Sequence, residues 1–93
     1  MDSLLKFATE LLQYDAKSQV DCLLLEEEYN KFCRTKCLRN IVSDKISGTP
    51  KAFSIIGERL STYKGYEQVS RDRVSDGKNR KKYVFKGVSL RNI

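Results

Sequence analysis

The run Gly48-Thr49-Pro50 is the local signal that most constrains this chain. Ser47-Gly48 ends whatever precedes it. Thr49 has a hydroxyl suited to capping a helix, and Pro50 fits the first helical position, where its missing N–H is not needed. From there Phe53, Ile56, Leu60 and Tyr63 recur on one helical face. Lys51, Ser54, Ile55, Glu58 and Thr62 point the other way, with Arg59 at the edge. Lys64-Gly65 closes the segment with a residue type that tolerates a left-handed cap. The expectation is a helix over 50–63 with one apolar and one polar face.

The residues behind this helix read as a β-hairpin. Its strands are expected at about 67–74 and 81–90, joined by Ser75-Asp76-Gly77-Lys78-Asn79-Arg80, in which Asp-Gly is a turn signal. Gly87 marks a bend or bulge in the second strand. The hairpin carries Arg71, Arg73, Lys78, Arg80, Lys81, Lys82, Lys86 and Arg91. Ahead of the central helix, Leu4, Ala8, Leu11 and Leu12 form an apolar face in a first helix over Asp2 to Tyr14, capped by Asp2 or Ser3. Asp15-Ala16-Lys17-Ser18 reads as a polar connection, and Gln19 to Leu23 as a short extended stretch or a helix lead-in. A second helix is expected at about 24–34, carrying Leu25, Tyr29, Phe32 and Cys33 at helical spacing. Leu38, Ile41, Val42 and Ile46 suggest a third, shorter helix over 37–46.

The chain has 93 residues, of which 40% are apolar and 32% charged, which suits one ordinary folded domain. No apolar run approaches the ~20 residues of a membrane-spanning helix. The N-terminus lacks a basic region followed by an apolar stretch and a cleavage site. The expected location is therefore intracellular, with no secretion and no membrane partner. Cys22, Cys33 and Cys37 are expected to be reduced, buried or partly buried thiols. Cys33 and Cys37 could supply half a zinc site, but a full site needs four ligands and the chain has no histidine. Neither metal nor any other cofactor is expected. Without histidine, no Ser–His or Cys–His nucleophile can be assembled. There is no phosphate-cradling glycine loop, and Glu26-Glu27-Glu28 reads as a solvated helix start. These features argue against an enzyme.

The charge is unevenly distributed. Residues 1–46 hold seven Lys/Arg and eight Asp/Glu, a net of −1, whereas residues 47–93 hold eleven and four, a net of +7. A one-sided basic excess is the electrostatic footprint of a polyanion partner. Helices, then a capped helix, then a basic hairpin make an α+β winged helix-turn-helix layout: three to four helices followed by a two-stranded β-hairpin wing. The expectation is a single domain over 1–93, with an N-terminal helix at 1–14, a helical core at 24–63 and the wing at 67–90. Helix 50–63 would enter the major groove of double-stranded DNA, and the wing would follow the phosphates. Candidate DNA-binding residues are Lys51, Ser54, Ile55, Arg59 and Thr62 on the helix. On the wing they are Arg71, Arg73, Lys78, Asn79, Arg80, Lys81 and Lys82. A protein–protein adaptor using the same basic face, or a dimeric repressor paired through the first helix, are the alternatives. Single-stranded DNA or RNA as ligand, and the oligomeric state, stay open.

The segment Glu26-Glu27-Glu28-Tyr29-Asn30-Lys31-Phe32-Cys33 resembles the "EEEYxxFC" helix of the C-terminal winged-helix domain in poxvirus-type primase-helicases and related phage and plasmid primases. Lys51-Ala52-Phe53 through Leu60 resembles the "KAFxxxxxxL" recognition helix of that domain. Arg80-Lys81-Lys82-Tyr83 with Gly87-Val88-Ser89-Leu90 resembles its closing "RxYxGIxL" strand. The resemblance spans roughly 24–91. It implies DNA replication in a virus or mobile element, with this domain gripping DNA for an attached or partner primase-helicase motor.

Overall fold

The structure is a computed structural model that describes residues 2–75, 77 and 81–91. The elements run α1 (Ser3–Leu11), β1 (Leu12–Asp21), α2 (Cys22–Lys36), α3 (Pro50–Leu60), β2 (Ser70–Ser75) and β3 (Lys81–Leu90). The three strands form one antiparallel sheet in the order β1-β3-β2. The architecture is α+β, but the sheet has three strands where two were expected.

The extra strand lies where the sequence read as helix end and connection. Asp2 caps α1, its Oδ1 accepting from the Leu4 N–H at 3.0 Å. The helix stops at Leu11 rather than Tyr14, because Leu12, Gln13 and Tyr14 pair with Leu90, Ser89 and Val88. Tertiary pairing overrides a local helical pattern here. Residues 15–18 are not a connection between elements but an irregularity inside β1. Pairing resumes at Gln19 opposite Lys86, which leaves Asp15 to Ser18 facing Gly87 alone. The Asp15 carboxylate folds this insert on itself, accepting from Lys17 N at 3.0 Å and Ser18 Oγ at 2.8 Å. Gly87 has φ 86°, and a Cβ there would sit 3.4 Å from Gln68 O and from Tyr14 Cε1. The bend expected at Gly87 is thus a place where only glycine fits without strain.

Asp21 ends β1 and caps α2, accepting from Leu23 N at 2.9 Å. The helix is longer than expected at both ends. It stops where Cys37 takes a left-handed conformation, φ 55°. The third helix expected over 37–46 is absent: these residues form turns. Val42 is buried, and Leu38, Ile41 and Ile46 pack against the core. Their spacing reflected burial, not helicity. Polar anchors hold the loop instead. The Tyr29 hydroxyl accepts from Ile41 N at 3.1 Å and shares a 2.7 Å hydrogen bond with Ser3 Oγ, which bonds to Arg39 O. Burial foremost pushes the Tyr29 hydroxyl up to about 12.

Glu26 overturns the reading of the acidic triplet as solvated. It is fully buried, and its Oε1 accepts from Gly48 N at 2.9 Å. Its Oε2 accepts from Ser47 Oγ and from Asn30 Nδ2. A buried carboxylate persists where donors replace its lost water. These donors fix the point from which α3 departs. Thr49 stands at the start of α3 but does not cap it, because its hydroxyl donates to Ile46 O at 2.6 Å. The helix ends at Leu60 rather than Tyr63, and residues 61–65 continue as turns with Gly65 at φ 93°. Ala52, Phe53, Ile56 and Leu60 are buried, as the apolar face required. The same core holds Phe7, whose ring centroid is 5.5 Å from those of Tyr29 and Phe32, and Phe85 and Val88 from β3. The first hairpin strand begins at Ser70, three residues later than expected.

Candidate nucleic-acid interface

Strand geometry sorts the basic hairpin into two faces. Directly paired residues of antiparallel strands project to the same side, and neighbours along a strand to opposite sides. Arg71 pairs with Phe85, Arg73 with Tyr83 and Ser75 with Lys81. Phe85 packs beneath α3, where a Cβ on Gly57 would lie 3.1 Å from its ring. The Tyr83 ring lies 6.1 Å from that of Phe53. This face therefore borders α3. Arg71 and Arg73 lie over the Tyr83 ring at 5.2 and 5.6 Å, within cation–π range. Arg71 also donates from Nη1 to Pro50 O at 2.8 Å, which ties the strand to the first turn of α3. Among the described residues neither arginine pairs with a carboxylate, and both are exposed.

The reverse face holds the intervening residues. Lys86 Nζ is 2.8 Å from Asp72 Oδ2, and Lys82 Nζ is 4.0 Å from Asp21 Oδ2. The Asp72 carboxyl is held below its usual range, first by the Lys86 hydrogen bond and then by the Arg73 backbone N–H. Lys82, expected beside Lys81 on DNA, is thus on the opposite face and next to an acid.

On α3, Lys51 is exposed near Pro50, and Ser54 is half-buried. Ser54, Glu58, Ser61, Ser70 and Arg71 line a groove of about 290 Å³ between α3 and β2. Ile55 is half-buried on the far side of the ridge. Thr62 lies past the helix end with its hydroxyl on Arg59 O at 2.6 Å. Arg59 is exposed but engaged: its Nη1 is 3.1 Å from Asp2 Oδ2, which also accepts from Tyr63 Oη at 2.5 Å. Burial would raise the Asp2 carboxyl, but the Tyr63, Arg59 and Leu4 hydrogen bonds outweigh it and hold it low. Burial and the bond to Asp2 push the Tyr63 hydroxyl well up. Arg59 therefore ties α3 to the α1 cap.

Of the expected site, Ser54, Arg71, Arg73 and Lys81 share the α3 side of the hairpin, and Lys51 is exposed in the first turn of α3. Ile55 and Thr62 lie off that groove, and Lys82 lies behind it. Lys78, Asn79 and Arg80 lie outside the described residues. Tyr83, which organises the two arginines, was missed. The signal was its place at alternate spacing from basic residues along a strand. Cys22 and Cys33 are buried, but Cys37 is exposed, against expectation. Burial, with Asp21 adding to it, pushes the Cys22 thiol up to about 12. Among the described residues no three metal-ligating side chains converge, and no helix is long and apolar enough to cross a membrane.

The chain matches no protein-family model and no curated protein.

Proposed function

We propose that this chain is a winged helix-turn-helix module that binds double-stranded DNA, with α3 as the recognition helix and β2–β3 as the wing. The observation that carries this reading is the Arg71–Tyr83–Arg73 stack, joined through Pro50 to the first turn of α3, where the exposed Lys51 is the next residue. It sets cations that form no ion pair among the described residues beside a helix with a polar outer face. Helix and cations then have distinct tasks: the helix reads base edges, while the arginines neutralise phosphates and release counterions. The element order α1-β1-α2-α3-β2-β3, with β1 completing the sheet, supports the winged arrangement.

The resemblance to poxvirus-type primase-helicase C-terminal domains fits the same reading. Glu26, Tyr29, Phe32, Cys33, Ala52, Phe53 and Leu60, which carry part of it, are buried framework residues. In that setting the domain grips DNA inside a cell for a replication motor.

Fluorescence anisotropy with a labelled duplex, titrated at several salt concentrations, tests the proposal. Binding with a log–log salt slope of several units is expected. No binding at low salt would overturn it. It would favour the adaptor reading, in which the same basic face meets an acidic protein surface.

A further inference from the structure

We propose that Glu58 is the specificity-determining residue of α3, reading a cytosine through its amino group; this rests on the DNA-binding reading above. Glu58 stands on the ridge of the helix. It lines the groove toward Ser70 and Arg71 on one side, and the depression formed with Ile55, Arg59 and Thr62 on the other. Helical spacing sets it in line with Lys51, seven residues earlier, at the centre of the polar face. It is exposed, and among the described residues its carboxylate has no hydrogen-bond or ion-pair partner.

An unpaired carboxylate in a cationic surface opposes phosphate binding. It is attracted only to groups in the major groove that present hydrogen-bond donors. Guanine O6 and N7 and thymine O4 are acceptors and repel it. Adenine N6 donates but stands beside the N7 acceptor of the same base, whereas cytosine presents only its N4 donor and is the usual carboxylate partner. The arginines at the hairpin supply attraction for any duplex. Glu58 subtracts from that attraction everywhere except where it meets an amino group. Discrimination then arises from a penalty on wrong sites as much as from a gain at the right one.

The test is selection from a duplex pool with a randomised segment, using the wild-type chain, E58Q and E58A. Unchanged thermal midpoints, expected for an exposed residue, make the result a report on binding. The wild type should enrich one position as cytosine, and inverting that base pair should weaken binding roughly tenfold. E58Q should move the preference to adenine, because a carboxamide pairs with adenine N6 and N7. E58A should bind the unselected pool more tightly than wild type and lose the preference.

The same motif from all three proteins would overturn the proposal and leave Glu58 a solvated surface acid. A wild type that binds the pool but enriches nothing would also overturn it, with the DNA-binding reading intact. A wild type that binds no duplex at low salt would overturn both.

Discussion

The two faces of the β2–β3 hairpin are built from alternating residues of the same basic stretch, yet they differ in electrostatic character. On the α3 side, Arg71 and Arg73 rest on an aromatic ring and, among the described residues, form no ion pair. On the reverse side, Lys86 is paired with Asp72, and Lys82 lies near Asp21. Lys81 and Lys82 are neighbours in sequence and fall on opposite sides. A run of positive charge is therefore not one patch once it becomes a strand. The useful quantity is the charge on each face after nearby acids are subtracted.

The largest expected effect comes from removing what orients the hairpin. Phe85 is fully buried, shares the face of Arg71 and packs beneath Gly57 of α3. Phe85→Ala should lower stability by about 3–5 kcal/mol, read by urea or thermal unfolding. DNA binding should fall with it as the hairpin loses its seat. A change under about 1 kcal/mol would mean that the two faces are set by the strand pairing alone rather than by packing on α3.

Next in size is the direct comparison of the faces. Replacing Arg71 and Arg73 together with Ala should weaken binding to any duplex. It should also flatten the salt dependence by roughly 0.9 for each phosphate that is no longer neutralised. Replacing Lys82 and Lys86 together removes the same formal charge and should change the slope far less. Equal losses from the two double variants would abolish the distinction between the faces. The lysine variant changes exposed residues, so a shift in stability within about 0.5 kcal/mol is expected. The arginine variant also loses the Pro50 hydrogen bond and the stacking on Tyr83 and should cost about 1–2 kcal/mol, so binding is compared where both variants are folded.

The elements legible in the sequence are those whose periodicity and punctuation agree. Phe53, Ile56 and Leu60 mark the buried face of α3, and Lys81 to Leu90 gave β3 its observed bounds. β1 was not legible because Leu12 continues the apolar spacing of α1. Only β3, about seventy residues later, draws it into a strand. The loop over 37–49 was misread because four apolar residues can face a core from turns as well as from a helix. Glu26 could have been found: the stripe Cys22, Tyr29, Cys33 passes through it, and an acid on such a stripe must be buried with donors. For the site, the sequence exposed the amount of charge. It hid the neutralisation, because Asp21 approaches Lys82 only through the strand pairing. It also hid the engagement of Arg59, whose partner Asp2 lies at the other end of the chain.

The smallest expected effect isolates one ion pair on the reverse face. Asp72 titrates below its ordinary value near 3.8, first because Lys86 donates to it and then because of the Arg73 N–H. A carboxyl depressed in the folded state adds stability above its unfolded value, and that stability is lost as pH falls through the folded value. Both side chains are about half exposed, so solvent and salt screen the pair. Asp72→Asn should leave the thermal midpoint at pH 7 almost unchanged. Wild type and variant should converge as the pH drops below about 4, where the wild-type carboxyl also loses its charge. The decisive readout is binding at neutral pH. The substitution releases Lys86 from its partner and adds one positive charge to the reverse face. If that face stays clear of DNA, duplex affinity and salt slope should barely move. A clear rise in both would mean that Lys86 reaches a phosphate once freed, and that Asp72 had been restraining it rather than marking an idle surface.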